Sequence, residues 1–114
     1  MEKRIRALEG QIERIKRELA ALGDLRPGSL SEQYNVCGNP NCRCKEGPAK
    51  RHGPYYQISF TRKGRSRTKF VKRPHVRDVK KQLKNYACLR DLINSWIELS
   101  SELCDLRLEE KEVS

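Results

Sequence analysis

Cys37-Gly38-Asn39-Pro40-Asn41-Cys42-Arg43-Cys44, followed by Arg51-His52-Gly53-Pro54-Tyr55-Tyr56, is the stretch on which the reading of this chain turns. Three thiols and one imidazole in so short a span are the donors of a structural zinc site. Four protein ligands would fill every position of a tetrahedral ion and leave none open for catalysis. Gly38 and Asn39-Pro40 are turn formers that can fold the chain back between Cys37 and Cys42. Cys42 and Cys44 are two apart, so an extended segment would send both side chains from one face. The run from Lys45 to Arg51 contains Gly47-Pro48 and is long enough to return His52 to the thiols. The expected ligands are therefore Cys37, Cys42, Cys44 and His52. His52 is the least determined of them, with His75 as a substitute, or Cys88 or Cys104 if a helix packs against the site. The competing reading is three free or redox-active cysteines, whose thiols Arg43 and Lys45 would make more acidic.

Downstream of this stretch the apolar period is two. Tyr56, Ile58 and Phe60 alternate with Tyr55, Gln57, Ser59 and Thr61, which predicts a half-buried strand. Arg62-Lys63-Gly64-Arg65 follows as a hairpin loop in which Gly64 can take positive φ. Ser66 to Val71 returns as a second strand, with Arg65, Arg67 and Lys69 on one face and Ser66, Thr68 and Phe70 on the other. Upstream, residues 30–36 read as a further short strand with Leu30, Tyr34 and Val36 as its packing residues. Arg26-Pro27-Gly28-Ser29 is a turn-forming linker before it.

Helices flank this centre. Ile5, Leu8, Ile12, Ile15, Leu19 and Leu22 repeat at alternating spacings of three and four, which predicts a helix over 2–22 with a narrow coiled-coil seam. Gly23 stands where a left-handed C-cap would fall. Pro74 suits the first turn of a second helix extending to about residue 110. Val76, Val79, Leu83, Tyr86, Leu89, Ile93, Trp96 and Leu103 form its stripe. The expected fold is α+β: two long helices in an antiparallel, coiled-coil-like pair, with a zinc-stapled antiparallel ribbon of two or three strands between them. Its segments are the helix at 1–23, the zinc loop and basic ribbon at 24–73, and the long helix at 74–114. The second helix is the longer, and its surplus, including Leu99, Leu103 and Leu106, asks for cover from a second copy of the chain.

Composition narrows the function. The chain has 114 residues, 36% hydrophobic and 35% charged, so a large core is out of reach and a staple or an oligomer is expected. Five cysteines cannot form a complete disulfide set within one chain, and no apolar run suits a signal peptide or a membrane span. A reducing cytoplasm is the expected compartment. The net charge of +10 is concentrated: residues 43–84 hold fifteen Lys and Arg against Glu46 and Asp78 alone. Such a patch points to a polyanion.

Arg43, Lys45, Lys50, Arg51, Arg62, Lys63, Arg65, Arg67, Lys69, Lys72, Arg73, Arg77, Lys80, Lys81 and Lys84 are the expected phosphate contacts, and Tyr55 a stacking residue. Lysines at a helix start oppose the helix dipole, which prefers anions there, so something other than helix stability put them there. An enzyme fits poorly, because the basic third lacks a carboxylate cluster for catalytic metals and the chain shows no nucleophile triad or phosphate loop. The expectation is a non-catalytic nucleic-acid-binding protein, DNA or RNA, dimeric through its helices, with no small-molecule substrate. The alternative is a coiled-coil interaction or scaffold module whose zinc hairpin only closes the bend.

Arg26-Pro27-Gly28-Ser29-Leu30, Cys37-Gly38, Pro40, Cys42-Arg43-Cys44 and His52-Gly53-Pro54-Tyr55-Tyr56 together resemble a family of small bacterial and archaeal proteins described only as a domain of unknown function. The likeness runs over roughly Leu25 to Leu103. It implies that Cys37, Cys42, Cys44 and His52 belong together, and it implies no activity. A mobile-element or regulatory setting is the context it suggests.

Overall fold

A computed structural model describes residues 1–113. The elements run α1 (Glu2–Ala21), β1 (Ser29–Asn35), β2 (His52–Arg62), β3 (Arg65–Val71) and α2 (Val76–Val113), with short 3-10 turns at Arg43–Glu46, Pro48–Lys50 and Arg73–His75. The fold is α+β, as expected, and the ribbon has three antiparallel strands in the order β1-β2-β3. The chain divides into two compact units, Met1–Leu25 with Lys84–Ser114, and Arg26–Leu83.

In the first unit the stripe of α1 is covered from within the chain. Ile5, Leu8, Ile12 and Leu103 form a buried cluster with Trp96, Leu99 and Leu106 packed against it. Chain direction reverses between the two helical segments: the Asp24 carbonyl accepts from Asn85 Nδ2 at 2.8 Å, while Arg4 reaches Glu102 at 2.9 Å. Leu99, Leu103 and Leu106 therefore need no second copy, contrary to the expectation from helix length. The extra length of α2 lies at its start, where Val76, Val79 and Leu83 belong to the sheet's core instead. The end of α1 also differs from expectation. Gly23 is not a left-handed cap; the chain leaves the helix extended at Leu22 (φ −65°, ψ 138°), whose N–H donates to the Leu19 carbonyl at 3.2 Å.

In the second unit Ile58, Val71 and Val79 are buried, with Leu30, Tyr56, Phe60, Val76 and Leu83 around them. This core lies on one sheet face. Ile58 stands opposite both Leu30 and Lys69, and Tyr56 opposite Val71, and cross-strand partners share a face. The first two turns of α2 cover that face over Ile58 and Val71. Tyr34 and Val36, expected to pack, are exposed instead, at 50% and 47%. The short span of α2 over the sheet gives them no cover. Tyr34 donates its hydroxyl to Glu32 Oε1 at 3.0 Å, which raises its pKa. The hairpin is tight: Arg62 pairs with Arg65 across a two-residue turn in which Lys63 (φ 52°) and Gly64 (φ 77°) are both left-handed. Among the described residues, no helix is long and apolar enough to cross a membrane.

Candidate metal centre and basic surface

The connection between β1 and β2 is built around its cysteines. The Cys42 N–H closes a turn on the Asn39 carbonyl at 3.2 Å, and Asn39 Oδ1 accepts the Asn41 N–H at 3.0 Å. Cys42 is followed by the 3-10 turn that carries Cys44, not by an extended segment. That turn swings Cys44 inward, where it is only 1% exposed, while Cys42 stays half-buried at its head. A second 3-10 turn, Pro48–Lys50, brings the chain to His52 at the start of β2.

There the register shifts. Gln33 pairs with Tyr55 but Asn35 with His52, so β2 carries one extra residue at Gly53-Pro54. Gly53 takes φ 141°, and a Cβ there would stand 2.7 Å from the Gln33 carbonyl oxygen. Only glycine lets the strands approach so closely beside the site. The bulge explains why glycine follows His52.

Four ligand atoms, one each from Cys37, Cys42, Cys44 and His52, lie within 4.8 Å of one another and could hold a metal ion. The Cys37 and Cys44 sulfurs are 3.5 Å apart, and Cys42 Sγ is 3.2 Å from His52 Nε2. His75, Cys88 and Cys104, the possible substitutes for His52, are not in this group. Cys88 and Cys104 are exposed on α2.

The second layer comes from the main chain. The Cys37 N–H donates to Cys44 Sγ at 3.3 Å, and Lys45 Nζ to the Cys37 carbonyl at 2.6 Å. Main-chain hydrogen bonding at Asn39, then His52, Cys42 and Cys44, pulls the Cys37 thiol down to about 6. Burial pushes Cys44 up, and the neighbouring thiols of Cys37 and Cys42 raise His52. The acidity of Cys37 thus comes from its own loop. No contribution from Arg43 or Lys45 is needed.

The cations of residues 43–84 are all on the surface. Arg43, Lys45, Lys50, Arg51, Arg62, Lys63, Arg65, Arg67, Lys69, Lys72, Arg73, Arg77, Lys80 and Lys81 are exposed, as is Tyr55; Lys84 is exposed on α2 in the first unit. Register puts Arg62, Arg65, Arg67 and Lys69 on the core side of the sheet, where their side chains stay exposed. Among the described residues none of the Lys or Arg of 43–84 is in an ion pair, whereas Arg4–Glu102, Arg6–Glu2, Lys16–Glu13 and Arg107–Glu9 are paired.

A groove of about 390 Å³ between β3 and the start of α2 gathers Arg26, Lys69, Lys72 and His75 with Asp78. Gln82 also lines it, and its Oε1 is buried without a hydrogen-bond partner. Arg26 was not among the expected contacts, because it lies well before the basic run. Its N–H donates to the Gln82 carbonyl at 3.3 Å, which ties the linker to α2.

A three-stranded sheet closed by a three-cysteine, one-histidine cluster, with a helix before it and a helix after it in the chain, defines a small α+β protein with a candidate metal centre. The chain belongs to the family described as Domain of unknown function (DUF6788), which it matches over residues 5–81. The shared region takes in most of α1 and ends in the second turn of α2, so it starts and stops earlier than the Leu25 to Leu103 expected. No curated protein and no solved structure matches the chain.

Proposed function

We propose that this is a zinc-stabilised, non-catalytic protein that binds nucleic acid through its basic hairpin and the first turns of α2. The observation that carries it is the set of exposed cations without acidic partners in the sheet unit. Arg62 and Arg65 stand directly opposite each other across the hairpin. Like charges so placed destabilise a sheet, and a phosphate between them would reverse that cost.

Zinc is the ion the donor set favours. Thiolate and imidazole suit it, and zinc–sulfur bonds of ~2.3 Å in a tetrahedron put sulfurs ~3.8 Å apart. The Cys37–Cys44 separation of 3.5 Å is close to that. With four protein ligands such a site is structural, and its thiolates are kept by a reducing compartment such as the cytoplasm.

A salt titration of binding to a random duplex and a random single strand, with metal content measured on the same sample, tests the reading. The expected result is one zinc per chain and micromolar affinity that falls steeply with salt. Zinc without binding at low salt would overturn it.

One observation favours a second reading. Ile93, Ile97 and Leu108 on α2 are exposed, at 39%, 58% and 60%. A coiled-coil contact with a second copy or another helix would rest on them, and the scaffold role with it. Such a contact would survive salt that strips phosphate contacts.

A further inference from the structure

The sheet has a second face, opposite its core, and its chemistry is different. Register places Gln33 beside Tyr55 and Gln57 beside Phe70, with Thr68 next along β3. No acidic or basic side chain falls on this face between Ser29 and Gln33, Tyr55 and Thr61, or Ser66 and Phe70. Two aromatic rings stand on it in the open. Phe70 is 55% exposed and Tyr55 37%, their centroids 6.4 Å apart and their planes tilted by 47°. A groove of about 370 Å³ runs past both rings to Lys72 and Arg73, the next residues after β3.

We infer that this face is a platform for the unpaired bases of single-stranded nucleic acid, an inference that rests on the nucleic-acid reading above and names the strand form. Each part of such a strand meets a matching group. Base faces stack on Tyr55 and Phe70, base edges meet the amide and hydroxyl groups of Gln33, Gln57 and Thr68, and phosphates meet Lys72 and Arg73. Bases in a duplex are already stacked and present no face to a ring on a flat sheet. The cations at the edge favour a phosphate-bearing ligand over a neutral polymer such as a glycan, which the aromatic and amide groups alone would also suit. Phe70 is the informative residue. Its alternation with Ser66 and Thr68 turns it away from the core, where an apolar ring would have been covered.

The test is fluorescence anisotropy with the full, metal-loaded chain at low salt. Three labelled probes are used: an oligo-dT strand, an abasic strand of the same length, and a hairpin duplex. The proteins are the wild type, Tyr55→Ala/Phe70→Ala, Tyr55→Leu/Phe70→Leu and Arg65→Ala/Arg67→Ala/Lys69→Ala. The wild type is expected to bind oligo-dT more tightly than the abasic strand. Both aromatic double variants should lose about tenfold or more on oligo-dT, while their affinities for the abasic strand and the duplex stay unchanged. The leucine pair keeps apolar bulk on the strands, so a loss shared by both variants and limited to oligo-dT belongs to stacking. An equal loss on all three probes, or none on oligo-dT, overturns the platform. If the wild type binds duplex, and the triple cation variant weakens it while the aromatic variants bind oligo-dT normally, the platform alone fails. If the wild type binds no probe, the nucleic-acid reading itself fails.

Discussion

The two units of this chain handle charge and burial in opposite ways. In the helical unit Arg4, Arg6, Lys16 and Arg107 each face a carboxylate, Lys16 also lies 5.4 Å from the centre of the Trp96 ring, and the buried side chains are leucines and isoleucines. In the sheet unit no Lys or Arg of 43–81 is in an ion pair among the described residues, the buried cluster is three residues, and four atoms that could hold a metal converge at one end. The helical unit is closed on itself by ordinary packing. The sheet unit is left short of core and rich in unneutralised charge, so a metal and a polyanion are the two additions that would complete it.

The largest expected break in this contrast comes from the metal. Structural zinc in small domains contributes apparently ~10–16 kcal/mol. Chelation, or Cys44→Ser, should therefore unfold the sheet unit and leave the helical one. Hydrogen exchange read by mass spectrometry should show protection lost across 29–71 and retained across 2–21 and 95–106. Uniform loss would mean that the two units fold as one. Next in size is the helical core. Leu8 is fully buried, and Leu8→Ala should cost ~2–5 kcal/mol, read by denaturant melting, without changing metal content.

Smaller in stability, but decisive for function, is the replacement of Arg65, Arg67 and Lys69 by alanine. Binding should weaken for every sequence alike, and the slope of log affinity against log salt should become shallower by roughly 3. Unchanged affinity would remove the hairpin from the interface. Arg4→Ala is the smallest. Its pair with Glu102 is about half exposed, so melting should register ~1 kcal/mol or less. A larger cost would mean that ion pairs, not packing, hold the helical unit.

Much of this was legible in the residues, and the failures share a cause. The stripe from Ile5 to Ile15 fixed α1, and the alternation from Tyr56 to Phe60 fixed β2, because each signal is local and periodic. The cluster of Cys37, Cys42, Cys44 and His52 was legible because turn formers and donors sit close in sequence. The spacing of Cys42 and Cys44 suits an extended segment and a 3-10 turn alike, because two residues of alternation cannot be told from a single such turn. The sequence points Leu103 to a second copy and Tyr34 to the core for another reason. Where α2 crosses from sheet to helix decides both, and that is a long-range fact. The face carrying Phe70 followed from parity. Its importance did not, since parity says which residues share a face and not which face is covered.

The bulge and 3-10 turns that gather the candidate metal ligands also bear on the order of folding. All four donors lie between Cys37 and His52, so the loop an ion must close is short, and short flexible loops are the least costly to close. The sheet it borders needs longer-range pairings, such as Ser29 with Ser59, and helical cover from Val79. An ion captured early would bring the ends of β1 and β2 together before that cover arrives, turning their slow encounter into a local one. The refolding rate of the sheet unit should then rise with metal concentration until capture is no longer limiting.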